Sequence, residues 1–327
     1  MHRRQFGQTG PRVGEVGLGC WQFGGDWGEV GDDTALGVLR AAVERGVDFF
    51  DTADVYGGGR SESLIGRFLR ETSSDVFVAT KLGRSSGAGF PDGFTWDSFR
   101  ACTEASLGRL GVGSLDLTQL HCLPTEWLAR GEVFDWLRRL RHEGKIRRFG
   151  ASVESMDEAL ICLDQEGLAS LQIIFNLFRQ KPITALFEKA QARGVALIVR
   201  LPLASGLLTG KYTKGTQFAP QDHRTYNRNG QAFNVGETFA GLPFEKGVEL
   251  ADALKAFVPE GMTLTQMAMR WILDHPAVTV IIPGAKDPEQ AAANAVLSDL
   301  PPLPPDLHAR LREFYERQVA AHIRGPY

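Results

Sequence analysis

Short apolar β-like runs alternate with amphipathic helical patterns along the whole chain, and this alternation limits the possible folds more than any other feature. Eight strands are predicted, at residues 15–19, 49–52, 76–81, 115–121, 149–152, 171–174, 196–200 and 279–283. Repeated βα units with short apolar strands favour a parallel sheet closed into a barrel. We therefore predict an α/β fold, a (β/α)8 TIM barrel, as a single domain over residues 1–327.

Two segments do not fit the repeat. Residues 6–13 are typical of an N-terminal β-hairpin with Gly10 and Pro11 near its turn, and we expect it to cover the closed end of the barrel. Residues 211–243 form a long polar loop after strand seven. Loops of this length in a compact domain are usually functional or disordered, and this one is expected to open on the catalytic face.

The composition gives no reason to expect nucleic acid or membrane partners. The net charge is −3, which provides no electrostatic attraction to nucleic acid. No apolar run approaches the length of a membrane helix, and Met1 is not followed by an apolar leader. Four scattered cysteines without paired spacing favour reduced thiols and a cytoplasmic protein. The oligomeric state is left open.

Two residues that could suggest other chemistry receive structural interpretations. Cys122 follows His121 directly, but no further ligand is close in sequence, so we predict no metal site and place Cys122 in the barrel wall. Asp54 is interpreted as a turn residue.

Three successive predicted strands end in residues that can move or polarise a proton. Asp51 and, five positions later, Tyr56 follow the second strand, Lys81 ends the third and His121 ends the fourth. The carboxyl ends of parallel barrel strands converge on one face, so these four side chains are expected to meet. A nearby ammonium would lower the pKa of the phenol, and the imidazole could orient a substrate oxygen.

These residues and their surroundings resemble the aldo-keto reductase family over nearly the whole chain. The matching segments are DTADVYG at 51–57, GGGRSE at 57–62, LASGLLTGK at 203–211 and IPGAK at 282–286. The resemblance implies an oxidoreductase that reduces an aldehyde or ketone to an alcohol by hydride transfer. In such an enzyme Tyr56 would be the proton donor, and Lys81 and Asp51 would tune it. His121 would orient the substrate, and Trp21 would line the substrate pocket with Tyr56 and His121.

The resemblance also implies a nicotinamide cofactor, NADP(H) or alternatively NAD(H). No G-x-G-x-x-G follows the first strand, so a Rossmann site is not supported. Residues 205–212 also fail as a P-loop, because Ser205 replaces its first Gly and Tyr212 replaces its Ser or Thr. The cofactor residues implied are Gly19, Cys20, Trp21, Asp51, Ser152, Gln172, Arg200, Leu203, Ser205, Gly206, Leu207, Lys211, Gly284, Lys286, Gln290 and Asn294.

Within that set, Ser152 and Gln172 would hold the carboxamide and residues 203–211 would wrap the pyrophosphate. Lys286 would meet the adenosine phosphate just before a helix that Asp287 is expected to cap. Helix N-termini favour negative charge, which supports NADP(H).

Two positions depart from the family pattern. Val153 replaces the usual Asn after the Ser of strand five, and Arg200 replaces an aromatic residue that stacks on the nicotinamide. The planar guanidinium of Arg200 can stack in the same way. Alternatively, Arg200 turns away to pair with a phosphate, a substrate anion or a neighbouring carboxylate.

The leading interpretation is therefore an NADPH-dependent carbonyl reductase acting on a small-molecule carbonyl or alcohol. One alternative is a cofactor-binding regulatory or channel-associated subunit on the same barrel, because fold does not fix function. Another is a barrel lyase that uses Lys81 in a Schiff base. The pattern of residues does not name the substrate.

Overall fold

The protein folds as a barrel of eight parallel strands, in a computed structural model that describes residues 1–84 and 93–327. The strands are β1 Arg3–Gln5, β2 Arg12–Gly14, β3 Leu18–Gly19, β4 Phe49–Asp51, β5 Phe77–Leu82, β6 Leu117–His121, β7 Phe149–Ser152, β8 Leu168–Ile174, β9 Ala196–Arg200 and β10 Val278–Ile281. The barrel runs in chain order from β3 to β10. Bridges from Val16 to Ile281 and from Gly19 to Gly284 bring the last strand against the first.

Helices follow the strands and surround the barrel. Within the described residues they are α1 Asp32–Glu44, α2 Arg60–Thr72, α3 Trp96–Leu110, α4 Thr125–Arg130, α5 Glu132–His142, α6 Met156–Leu163, α7 Pro182–Ala185, α8 Phe187–Arg193, α9 His223–Tyr226, α10 Phe244–Leu254, α11 Leu264–Leu273, α12 Pro288–Ala295 and α13 Pro305–Phe314. Their apolar faces pack on the outside of the strands in one large buried cluster. None of the helices among these residues has the length and apolar character needed to cross a membrane.

All eight predicted strands are confirmed, with shifts at their ends. The first is shorter than predicted, because Val16 joins the barrel only through an isolated bridge and regular pairing starts at Leu18. The sixth is longer, because β8 already pairs with β7 from Leu168. The predicted cap of α12 is also confirmed, since the Asp287 side chain accepts a hydrogen bond from the Gln290 amide.

The predicted N-terminal hairpin closes the amino-terminal end of the barrel. β1 and β2 pair antiparallel, and the turn between them carries Phe6, which is fully buried. The Phe6 ring lies 5.8 Å from the ring of Phe49 and 4.9 Å from that of Phe77, measured between centroids. These rings belong to an apolar cluster inside the barrel that includes Leu117 and Ile198. The lower half of the barrel is therefore filled with apolar side chains.

The long segment at 211–243 is a structured loop. It contains α9 and two short 3₁₀ turns, Val235–Glu237 and Phe239–Gly241. Asn227, which is fully buried, ties the loop together, because its side-chain oxygen accepts hydrogen bonds from the amides of Ala232 and Phe233, each 2.9 Å long. We call residues 211–243 the β9 loop.

Candidate active site

A cavity of about 530 Å³ opens at the carboxyl ends of the barrel strands. Most of the predicted site residues line it: Gly19, Trp21, Asp51, Tyr56, His121, Ser152, Gln172, Arg200, Leu203, Ser205, Gly206, Lys211, Gly284, Lys286 and Gln290. Four others do not line it: Cys20, Lys81, Leu207 and Asn294. Among these, Lys81 contacts two residues that do, and Asn294 donates to the carbonyl of Gly284.

Lys81 lies at the centre of the polar group above the apolar half of the barrel. Its ammonium donates to Asp51 Oδ1 at 2.5 Å, to the Thr52 carbonyl at 2.8 Å and to the Tyr56 hydroxyl at 3.2 Å. Asp51 ends β4, Lys81 is in the neighbouring β5, and Tyr56 begins a 3₁₀ turn. Lys81 and Asp51 are only 1% and 3% exposed, so this ion pair is shielded from water. Burial opposes the ammonium charge, but Asp51 and Tyr56 raise the pKa of Lys81 overall and keep it charged.

Burial dominates the titration of Tyr56. It raises the pKa of the phenol to about 12, although the Lys81 ammonium lowers that pKa as the sequence predicted. The direction of the Lys81 effect is therefore right, but it does not bring the pKa of Tyr56 below its ordinary value. Tyr56 keeps its proton throughout the physiological range.

His121 is a neutral ring beside the phenol. Burial, followed by the charges of Arg84 and Lys81, holds the pKa of His121 well below its usual value. Its ring lies edge-on to that of Tyr56, with centroids 5.9 Å apart. Its Nδ1 is buried and has no hydrogen-bond partner within residues 1–84 and 93–327. A neutral imidazole with a free nitrogen can hydrogen-bond a ligand oxygen without adding charge.

Two glutamines hold the far side of the Asp51 carboxylate. Gln172 Nε2 donates to Asp51 Oδ2 at 2.6 Å, and Gln119 Nε2 lies 3.3 Å from the same oxygen. Ser152 Oγ lies 3.4 Å from Gln172 Oε1, so the predicted pair of Ser152 and Gln172 is adjacent. Gln119 was not predicted. The sequence clue to Gln119 is its place two residues before His121 in a buried strand, because alternate residues of a strand lie on the same face.

The predicted pyrophosphate loop has an unusual backbone. Ala204 and Ser205 have φ of 49° and 55°, in the left-handed region. Gly206 has φ of 95°, and a Cβ there would lie 2.2 Å from the Tyr212 hydroxyl. The loop therefore needs a glycine at 206. The Ser205 side chain accepts from the Phe239 amide at 3.1 Å, which fixes this loop to the β9 loop.

Four charged residues form a network that the sequence did not predict. Glu237 in the β9 loop contacts Arg84, which follows β5, at 3.1 Å and Arg200, which ends β9, at 3.6 Å. Glu154 lies 3.6 Å from Arg84. Although burial opposes its charge, the two arginines hold the pKa of Glu237 well below its usual value. Burial and then Glu237 raise the pKa of Glu154 to about 8.

The network contains one of the partners that the sequence offered for Arg200, a neighbouring carboxylate. The Arg200 guanidinium contacts Glu237 and donates to the Val153 carbonyl at 3.2 Å, as in the interpretation that pairs it with a neighbouring carboxylate. Arg200 still lines the cavity. The Val153 side chain is buried, and the contact of this residue with Arg200 is made by its backbone carbonyl.

Cys122 differs from its sequence interpretation, whereas Asp54 keeps its predicted turn. Cys122 lies beyond the end of β6, with its sulfur 3.6 Å from the Arg200 guanidinium, and is not in the barrel wall. The Cys122 sulfur lies near two carboxylates: it and one oxygen each of Glu154 and Glu237 lie within 4.8 Å of one another. Arginine side chains already contact both of these acids.

Asp54 is in a turn as predicted, yet it is buried, and neither of its carboxylate oxygens has a hydrogen-bond partner within the described ranges. Burial and then Glu62 raise its pKa to about 7.

Aromatic side chains form the mouth of the cavity. Trp21 stacks on Tyr56 with ring centroids 6.0 Å apart, and its indole nitrogen donates to Asp26 at 2.9 Å. Tyr226 of the β9 loop donates to the same carboxylate at 2.8 Å, and Phe233 lies 6.2 Å from Trp21 between centroids. The prediction that the β9 loop opens on this face is confirmed, because Tyr226, Phe233 and Glu237 all line the cavity.

Comparisons with known proteins agree with this geometry. The model of the Aldo/keto reductase family matches residues 15–316. Aldo-keto reductase YhdN of Bacillus subtilis is 29% identical over 307 residues, which cover 90% of this chain and 87% of that protein. A probable voltage-gated potassium channel subunit beta of Arabidopsis thaliana is also 29% identical, with 93% of each chain covered.

Among solved structures, the glycerol dehydrogenase AKR11B4 of Gluconobacter oxydans superposes with a TM-score of 0.77 at 28% identity. The match covers 99% of this chain and 98% of that one. The similarity therefore extends over the barrel and the β9 loop.

Proposed function

The chain belongs to the aldo/keto reductase family, and we propose that it is an NADPH-dependent reductase of small aldehydes or ketones, with Tyr56 as its proton donor. The observation that carries the proposal is the hydrogen bond between the Tyr56 hydroxyl and Lys81 Nζ, because Lys81 is itself held by Asp51 in a dry site. A neutral His121 lies on the other side of the phenol.

Each side chain has a distinct role in this proposal. Bound NADPH would supply the hydride. His121 and Tyr56 hydrogen-bond the carbonyl oxygen and fix its position, and Tyr56 donates its proton to that oxygen as negative charge develops there. The Lys81 ammonium stabilises the phenolate that remains, and Asp51 keeps Lys81 in place. Gln119 and Gln172 orient Asp51 from behind.

The residues around the cavity fit a dinucleotide phosphate. Lys211 and Lys286 line it, and Lys286 directly precedes the cap of α12. Gly206 and Gly284 also line the cavity and, lacking side chains, leave their backbone open to a ligand. Ser152 and Gln172 are placed to hold the carboxamide, while residues 203–211 would meet the pyrophosphate. We assign NADP(H) before NAD(H) on the charge of Lys286 beside a helix N-terminus.

We further propose a small, hydroxylated carbonyl as the substrate and the cytoplasm as the site of action. Beside Tyr56 and His121, Arg84 and Glu237 present hydrogen-bond donors and acceptors, and Trp21 and Phe233 present flat apolar faces. Such a lining suits a chain of carbons that carry hydroxyl groups. The name of the similar glycerol dehydrogenase of Gluconobacter oxydans is consistent with this class.

A panel of aldehydes and ketones tests the proposal. Purified protein is mixed with NADPH, and loss of the reduced cofactor is followed by absorbance, with glyceraldehyde and dihydroxyacetone compared with apolar aldehydes of similar size. Turnover that is lost in Tyr56→Phe supports the proposal. Absence of turnover with every carbonyl, in protein that binds NADPH, would contradict it.

The second candidate is a cofactor-binding regulatory subunit, favoured by the similarity to the Arabidopsis thaliana protein named as a probable channel subunit. It predicts tight NADPH binding with little turnover in the same panel. The Schiff-base alternative has less support, because the Lys81 ammonium is buried and makes three hydrogen bonds. Borohydride trapping of a carbonyl on Lys81 would revive it.

A further inference from the structure

A single guanidinium near the C-terminus joins the two ends of a segment of the β9 loop that contributes two side chains to the catalytic cavity. Arg324 Nε donates to the Gly241 carbonyl at 2.9 Å, and Nη2 donates to the Leu242 carbonyl at 3.0 Å. From the same group, Nη1 donates to Asn229 Oδ1 at 2.9 Å, and Nη2 lies 3.5 Å from the Arg228 carbonyl. We call residues 228–242 the clamped segment.

The clamped segment carries two side chains that line the cavity. Phe233 lies beside Trp21, and Glu237 contacts Arg84 and Arg200. Both fall between the two points that Arg324 holds. Holding the ends of a loop together reduces the number of conformations that its middle can adopt. The position of Phe233 and Glu237 therefore depends on a residue that lies outside the cavity lining.

The chain around Arg324 fits closely against the clamped segment. The Arg324 backbone amide also donates to the Gly241 carbonyl, at 3.1 Å. Gly241 and Gly325 have φ of 83° and 77°, and a Cβ at 325 would lie 2.7 Å from the Val235 side chain. On the other side, Arg179 donates to the Pro326 carbonyl at 3.3 Å. Both glycines are needed for the close approach of the two chain segments.

No carboxylate among residues 1–84 and 93–327 pairs with Arg324, in contrast to the arginines of the charged network. Its planar fork instead donates to the Gly241 and Leu242 carbonyls and to the Asn229 side chain. Arginine suits this task because its donors have fixed directions, whereas a lysine ammonium offers a single point charge. The contact is therefore suited to fixing a shape more than to balancing a charge.

We propose that Arg324 is a positioning residue for substrate binding, which acts by holding the clamped segment so that Phe233 and Glu237 form one wall of the substrate site. The inference rests on the proposed carbonyl reduction, because the wall belongs to the same cavity. The catalytic group of Tyr56, Lys81, Asp51 and His121 makes no contact with Arg324 in the described structure. Loss of Arg324 should therefore change substrate affinity and leave the chemical step nearly unchanged.

The test compares Arg324→Ala with Arg317→Ala. The Arg317 side chain is 76% exposed and pairs with Glu313, nearby in sequence. For the best carbonyl in the panel, Arg324→Ala should raise KM about tenfold, which corresponds to loss of one or two hydrogen bonds. Its kcat should stay within about twofold, because the catalytic group of Tyr56, Lys81, Asp51 and His121 is intact. Arg324→Lys should recover only part of the loss. Arg317→Ala should match the wild type throughout.

A second measurement does not depend on turnover. Trypsin can cut after Arg228, and release of the clamped segment should speed this cut several-fold in Arg324→Ala but not in Arg317→Ala. If Arg324→Ala does not fold, Asn229→Ala removes one contact from the opposite side and should give a smaller change of the same sign. Unchanged KM and unchanged cleavage in a folded variant would overturn the inference. A wild type without any turnover would instead refute the proposed reaction, and the cleavage rates would still decide the role of Arg324.

Discussion

The Lys81 ammonium lies 3.2 Å from the Tyr56 hydroxyl, yet the pKa of Tyr56 is about 12 because burial outweighs that charge. The phenol therefore holds its proton until a substrate oxygen develops negative charge beside it. In this arrangement the cation does not create a phenolate in advance. It stabilises the phenolate that proton transfer leaves behind.

Tyr56→Phe should reduce carbonyl reduction by ~10²–10⁴-fold, because it removes the general acid and little else. NADPH affinity should be nearly unchanged. Tyr226→Phe is the matched control, since Tyr226 lines the same cavity but donates to Asp26. Steady-state rates and a fluorescence titration with NADPH provide both readings. Retention of more than a tenth of the wild-type rate would refute the assignment of Tyr56.

Lys286→Ala should weaken NADPH binding by roughly 1.5–3 kcal/mol, the usual value of a hydrogen bond to a charged group. NADH binding should change far less, because NADH lacks the ribose phosphate that Lys286 is proposed to meet. Lys246→Ala is the control, since Lys246 pairs with Glu249 on α10. The measurement is a pair of dissociation constants for each variant. Equal losses for both cofactors would remove the case for NADP(H) preference at Lys286.

Glu237→Gln should weaken NADP⁺ binding relative to NADPH by several-fold. The change would leave the positive charges of Arg84 and Arg200 without their shared carboxylate. If the nicotinamide ring binds beside them as proposed, those charges would face a ring that is cationic only when oxidised. Like charges ~4 Å apart repel by roughly 1–4 kcal/mol at effective dielectrics between water and a protein surface. Glu154, which lies beside the same arginines, can offset part of this by losing its proton. The control is Glu245→Gln, in an exposed pair with Arg228. An unchanged affinity ratio would show that the charged network does not sense the oxidation state.

Asp54→Asn should flatten the dependence of stability on pH. The pKa of Asp54 is about 7 in the folded chain, against a usual value of 3.8. Between these values the folded state holds a proton that the unfolded state has lost, so stability falls as pH rises from about 4 through about 7, with a slope of at most ~1.4 kcal/mol per pH unit. Urea unfolding at pH 5, 6, 7 and 8 compares the two proteins. Parallel curves for wild type and variant would contradict the raised pKa.

The barrel and its four catalytic candidates could be predicted because each depends on local sequence. Asp51, Lys81 and His121 lie at the ends of consecutive strands, and parallel barrel strands bring those ends together whatever the loops do. The short strand Leu18–Gly19 shows the limit of that reasoning. It pairs with β4, but closure of the barrel beside it rests on isolated bridges to Ile281 and Gly284 at the other end of the chain.

The charged network could not be predicted, because its partners are far apart in sequence. Arg84 and Glu237 are 153 residues apart, and they meet only because the β9 loop folds back over the cavity. The burial of Asp54 depends in the same way on tertiary packing around its turn, which the local sequence does not specify. Propensities and motifs report the local chain, whereas the protonation of a side chain depends on the charges and apolar groups that tertiary folding places around it.

The rings of Phe6, Phe49 and Phe77 form an aromatic plug that fills the amino-terminal half of the barrel, below the cavity. Mutations in the two halves of the barrel should therefore have different effects. Changes in the lower half alter packing density in a filled interior, and they are felt as lost stability. Changes in the loops above the strand ends reshape the cavity mouth without disturbing that interior. A directed-evolution library confined to Tyr226 and Phe233, two half-buried side chains that line the cavity, can therefore explore new substrates while folding yield stays close to that of the parent.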